Sequence, residues 1–149
     1  GLLWPTILAV RWYVGPMVQN RPDFYFPYFR LAEELRAAGY DGRGTIIVHF
    51  HRAQMGGNLK NQFPKAAVLS TKYPFYRPPG TGRGPCLIVW WTDAGAKPPR
   101  VLVDFARGLG LRATAKMRAG TVSAAIPRRG GEKMTLAYLM LPEKAGGCR

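Results

Sequence analysis

The sequence predicts an α/β domain with a mostly parallel sheet and a C-terminal antiparallel strand pair. Three observations carry that expectation. Apolar, largely β-branched runs stand at residues 44–50, 66–70 and 86–91, helical patterns lie between or beside them, and two late strand-like runs flank a glycine-rich turn. Parallel strands need crossover connections, and a strand covered on both faces loses the polar alternation of a half-exposed sheet. With 149 residues, 47% of them hydrophobic, the chain can bury one core and is short for two.

The elements follow in order. In "RPDFYFPYFRLAEELRAAGY", Pro27 suits a first helical turn, Leu31, Leu35 and Ala38 share a face, and Gly39 supplies the stop. "GTIIVHF" at 44–50 then reads as a strand buried on both faces. "HRAQMGGNLKNQFP" at 51–64 supplies a short helix over Met55–Gln62 ended by Pro64; its glycines turn the chain between strand and helix, and Asn58 serves as the cap. "AAVLS" at 66–70 and "CLIVWW" at 86–91 are two further strands. Between them Tyr73–Pro85, with four prolines and three glycines, can only be a surface loop. "KPPRVLVDFARGLGL" is an amphipathic helix with Val101, Leu102, Phe105 and Leu109 on one side and Gly110 past its end. "ATAKMRAGTVSAAIP" and "KMTLAYLML" flank "RRGGE" and read as an antiparallel pair. The sum is a single small Rossmann-like layer domain.

The chain begins at Gly1 with "GLLWPTILAVRWYVGPMV", as if continued from something longer. This apolar stretch is shorter than the ~18–20 residues that span a bilayer and is broken by Pro5 and Arg11. Two readings stand: the end of a membrane helix with Trp4, Trp12 and Tyr13 at interface depth, or an N-terminal element packed on the domain. The expected division is a membrane-proximal segment over residues 1–22 and an α/β domain over residues 23–149.

Lys and Arg number 22 against 8 Asp and Glu, a formal charge of +14. Such a surface attracts phosphate-bearing partners or anionic lipid. The basic residues are scattered and not massed in a tail or helical stripe, which disfavours a dedicated nucleic-acid protein; a free-standing basic nucleic-acid-binding α/β protein remains as the alternative reading. Cys86 and Cys148 lie far apart with no CxxC partner. Cys86 opens an apolar run and reads as a buried free thiol, with a disulfide to Cys148 as the alternative in an oxidising compartment.

Chemistry-bearing patterns are sparse. His49 and His51 share a face of a continuing strand, but no third ligand beyond a distant Asp93 presents itself, so no metal site is expected. Gly56 and Gly57 match neither GxGxxG nor GxxxxGK[ST], so structural use outweighs a phosphate cradle. Ser70 and Ser123 lack GxSxG, and Cys86 lacks an activating charge in sequence. Trp90 and Trp91 with Tyr73, Phe75 and Tyr76 could line a sugar or lipid, but adjacent strand residues face opposite sides, which favours core packing. The strand exits after Phe50 and Trp91 are where a small α/β enzyme would hold its ligand.

The strand of "GTIIVHF", the "GGNLKNQFP" at 56–64, the "AVLS" strand, the aromatic-proline loop and "GPCLIVWW" together resemble the C-terminal soluble portion of bacterial GT-C membrane glycosyltransferases. These are of the family 39-like kind, related to dolichyl-phosphate-mannose protein mannosyltransferases and aminoarabinose transferases. The resemblance implies an extracytoplasmic, periplasmic domain of a polyprenyl-phosphate-sugar-dependent enzyme. Its partners would be the transmembrane portion of the same enzyme and an anionic lipid or phosphate-bearing acceptor. That family's catalytic acids lie in loops absent from this sequence, so no catalytic residue and no cofactor is carried over and the chain alone should be inactive. Arg52, Asn58, Lys60 and Arg77 are the expected anion, lipid or acceptor contacts.

Overall fold

Thr45–Val48 is buried at every position, as a strand covered on both faces must be, and forms β1 within the parallel part of the sheet. The computed structural model describes residues 26–49, 55–94, 97–111, 117–127 and 130–142. Within them the chain runs α1 (Tyr28–Ala37), β1, α2 (Met55–Gln62), β2 (Ala67–Ser70), β3 (Cys86–Trp91), a 3-10 turn (Thr92–Ala94), α3 (Arg100–Gly108), β4 (Arg118–Ala125) and β5 (Lys133–Leu141). The five strands are ordered β2-β1-β3-β5-β4. β1 pairs in parallel with β2 and with β3, whereas β5 runs antiparallel to both β3 and β4. The domain is thus α/β with a C-terminal antiparallel pair; half of the pairings being antiparallel, the sheet is better described as mixed than as mostly parallel.

Helices cover both faces. On one, Leu31, Leu35, Met55, Leu59 and Phe63 pack with Ile46, Val48, Leu87, Val89 and Leu136. On the other, Leu102 and Ala106 of α3 meet Ile47, Leu69, Ile88 and Trp90. Odd and even positions of β1 and β3 therefore feed different cores, which is the period-2 rule applied to a strand with no wet side. Trp90 lies in the α3 core, while Trp91 packs on the α1–α2 side with its ring edge-on to Phe26 at 5.0 Å. The two tryptophans thus face opposite sides, as core packing required.

Several local expectations change. Gly56, Gly57 and Asn58 all lie inside α2, so the glycines do not turn the chain ahead of the helix and Asn58 does not cap it. A Cβ on Gly56 would stand 3.4 Å from Val48 Cγ2, so the absent side chain lets the helix settle close on the sheet. On α3, Val101 is 59% exposed and the buried stripe is Leu102 and Ala106, with Phe105 and Leu109 partly covered. A stripe through residues 102, 105, 106 and 109 follows the helical repeat, and Val101 falls about 40° beyond its edge and a quarter of a turn from its centre. Cys86 is buried and disulfide-bonded, which corrects the free-thiol expectation. Burial is equally compatible with a thiol and a disulfide, so a strand position alone could not decide. The register sets Cys86 opposite Leu141, after which the chain continues to Cys148, outside the described residues.

No helix among the described residues is long and apolar enough to cross a membrane. The segment over residues 1–22 lies outside the described residues.

Candidate functional site

The connection from β2 to β3 carries no helix. Residues 71–85 instead run from the carboxyl end of β2, across the α3 side, to the amino end of β3. Two contacts fix the route: the Arg77 guanidinium sits 5.4 Å from the Phe105 ring of α3, and the Gly82 amide donates to the Thr45 hydroxyl at 3.0 Å. The loop expectation for Tyr73–Pro85 holds, and the first part of the loop walls a pocket at the carboxyl edge of the parallel strands.

That pocket, about 250 Å³, lies where β1 and β2 end and α2 begins. Its lining includes His49, Gly56, Gly57, Lys60, Ser70, Lys72, Tyr73 and Tyr76 and, among the described residues, no carboxylate. Open α/β sheets hold ligands outside the carboxyl ends of their strands, because strand ends and helix starts aim backbone donors into that crevice. The first-turn amides of α2 have no intrahelical acceptor. Lys60 Nζ donates to the carbonyls of Pro64 (2.9 Å) and Ala66 (2.7 Å), which holds its charge in place without neutralising it. Lys72 lies over the Tyr73 ring at 5.4 Å, and its backbone amide donates to Ser70 Oγ at 3.2 Å. His49 continues β1, donating its amide to the Val89 carbonyl at 3.2 Å, and its Nδ1 is shielded from solvent. Tyr73 and Tyr76 are 58% and 60% exposed, offering ring faces at the mouth.

Of the contacts expected from sequence, Lys60 lines this pocket and Asn58 lies in α2 beside it. Arg77 is turned to its own loop, donating to the carbonyls of Pro74 (2.7 Å) and Tyr76 (3.0 Å) while covering Phe105. Arg52 and His51 lie outside the described residues. Among the described residues no group of three or more His, Cys, Asp or Glu is placed to hold a metal. Ser123 bonds Thr135 across the β4–β5 pair at 2.7 Å, a strand contact and not a nucleophile's setting. Sequence reasoning missed Lys72, Ser70, Tyr73 and Tyr76 as a group. A signal for them existed: between Asp41 and Asp93 there is no acidic residue, while Arg43, Arg52, Lys60, Lys65, Lys72, Arg77 and Arg83 all fall in that interval.

No family model matches the chain, and no curated protein matches it. A solved structure that it resembles is the protein-(glutamine-N5) methyltransferase (release factor-specific) of Alicyclobacillus acidocaldarius, at 12% identity and a TM-score of 0.32 over 84% of this chain and 100% of that one. At that level the likeness lends this chain no chemistry. The findings nevertheless correct the glycosyltransferase reading. Neither a family model nor a curated protein carries the GT-C resemblance. The short motifs that suggested it are a buried strand, a helix start and a proline-rich loop, features that many α/β chains share. No match supports the nucleic-acid alternative either.

Proposed function

We propose that this domain is a binding module for a small phosphate-bearing ligand, held in the carboxyl-edge pocket between β1, β2 and α2. The observation that carries the reading is the composition of that pocket: two lysines, a histidine and the start of a helix, with no carboxylate among its described lining residues. Fixed positive charge beside a helix start is the chemistry that selects a phosphate over a neutral ligand. At about 250 Å³ the pocket falls just below the ~300 Å³ at which common ligand sites begin, which favours a ligand no larger than a phosphorylated ring. Tyr73 and Tyr76 give such a ring a face to stack on. The disulfide at Cys86 supports placing the domain in an oxidising compartment outside the cytoplasm.

Isothermal titration of the 149-residue chain with a sugar phosphate and with inorganic phosphate tests the reading. Removing one charge-assisted contact with Lys72→Gln is expected to weaken binding about tenfold, and the sugar phosphate is expected to bind more tightly than phosphate alone. Equal affinity in wild type and Lys72→Gln, or no binding at millimolar ligand in low salt, overturns it.

A further inference from the structure

The other end of the same strands carries a second concentration of charge. Arg43 stands just ahead of β1, Lys65 just ahead of β2 and Arg83 just ahead of β3. The register pairs Thr45 with both Ala67 and Cys86, so three turns distant in sequence are set side by side at the amino edge. Their basic side chains line one concavity of about 280 Å³ together with Gly44, Ala67, Gly80, Gly84 and Pro85. β1 separates it from the carboxyl-edge pocket by roughly 13 Å of strand.

Its backbone frame is tightly held. The Tyr40 hydroxyl donates to the Arg43 carbonyl at 2.6 Å, and Asp41 accepts from the Arg43 amide at 3.0 Å and from its guanidinium at 3.0 and 3.2 Å. The Ala67 amide donates to the Gly44 carbonyl at 2.8 Å and the Thr45 amide to the Pro85 carbonyl at 3.0 Å. Thr45 is 1% exposed, and its hydroxyl accepts from the Gly82 amide, tying the Gly80–Gly84 turn to the first residue of β1. Asp41 offsets part of the Arg43 charge; neither Lys65 nor Arg83 meets a carboxylate among the described residues. Like charges gathered over a fixed frame repel one another, and an anion between them relieves that repulsion.

We infer that the amino edge, framed by Arg43, Lys65 and Arg83, is a second anion site that takes a compact phosphate-type anion such as a pyrophosphate group. It is independent of the carboxyl-edge reading and stands or falls separately. The Arg83 guanidinium can grip two oxygens, Lys65 adds a point charge, and Arg43, held on one edge by Asp41, contributes its remaining donors. The glycine turn brings backbone close to the ligand without side chains in the way.

The test is a titration of the isotopically labelled 149-residue chain with inorganic pyrophosphate, followed by amide chemical shifts at constant ionic strength. Saturable shifts are expected at Gly44, Gly80 and Gly84. In the Lys65→Gln/Arg83→Gln variant, whose changes fall on exposed side chains, the apparent Kd is expected to rise about tenfold or more while the responses of Gly56 and Gly57 stay as in wild type. Absence of saturable shifts at those three glycines in wild type, shifts matched by chloride at the same ionic strength, or an unchanged Kd in the double variant overturns the proposal. A failure confined to Gly56 and Gly57 removes the carboxyl-edge reading and leaves this one intact.

Discussion

One chemical change, glycine to alanine, is expected to act with opposite signs at two positions. Gly57 lies in the first turns of α2, and a Cβ there meets nothing within 4 Å. Alanine removes glycine's unfolded-state freedom at no steric cost, so Gly57→Ala is expected to stabilise by about 1 kcal/mol. Gly44 has φ +82°, and a Cβ on it would strike the Pro85 carbonyl oxygen and stand 2.8 Å from the Pro85 nitrogen. The left-handed backbone alone costs a non-glycine residue about 1–2 kcal/mol. Moving Pro85 also strains the 3.0 Å bond from the Thr45 amide, about 1 kcal/mol more, and the residual overlap adds to both. Gly44→Ala is therefore expected to cost about 3 kcal/mol. With a urea m value of about 2 kcal/mol/M, this lowers the unfolding midpoint by roughly 1.5 M, while Gly57→Ala raises it by about 0.5 M. Equilibrium urea unfolding, followed by tryptophan emission and far-ultraviolet circular dichroism, measures both. A Gly44→Ala midpoint within about 0.25 M of wild type, equivalent to ordinary surface scatter of ~0.5 kcal/mol, would refute the close-approach reasoning.

Two further predictions concern titration and redox state. Burial first, and the neighbouring Asp41 second, push the Tyr40 phenol well above its ordinary 10.0, so the folded protein keeps it protonated and donating to Arg43. A folded value above the unfolded one makes this stability fully present below pH 10 and lost as pH rises beyond it. Tyr40→Phe is expected to cost about 1 kcal/mol at neutral pH and to flatten the alkaline decline; a decline as steep as in wild type counts against Tyr40 as its source. For Cys86, thiol titration of the denatured, unreduced chain is expected to find no free thiol, and reduction to lower stability by about 2–4 kcal/mol. A reactive thiol in the unreduced chain, or no stability change on reduction, speaks against the bond.

β1, β3 and the β4–β5 pair were legible because continuous apolar runs and a glycine-rich turn leave few other structures open to them. α2 was legible in extent but not in detail. Glycine's poor helix propensity suggested a turn at Gly56 and Gly57, and that local preference yields to packing, since Gly56 lies against Val48 and Val68. Val101 was misplaced because an isolated helix pattern permits several phases until the sheet selects one. Tyr73 and Lys72 meet His49 and Gly56 only through the fold, and Arg43, Lys65 and Arg83 converge only through the parallel register. Register is a long-range property, and no window of sequence contains it. Net charge was visible from composition, but its division between two ends of the same strands was not. The GT-C resemblance failed for a related reason: its motifs describe strand, helix and loop boundaries, and boundaries carry little chemistry.

The opposed tryptophans of β3 give this domain a built-in pair of optical reporters. Trp90 and Trp91 are covalent neighbours, yet each indole senses a different side of the sheet. A disturbance entering through α3 changes the surroundings of Trp90, and one entering through α1 or α2 changes those of Trp91. In a background with Trp4 and Trp12 replaced by Phe, further single Trp→Phe replacements at these two positions therefore separate the emission of the two layers and reveal whether they loosen together or in succession.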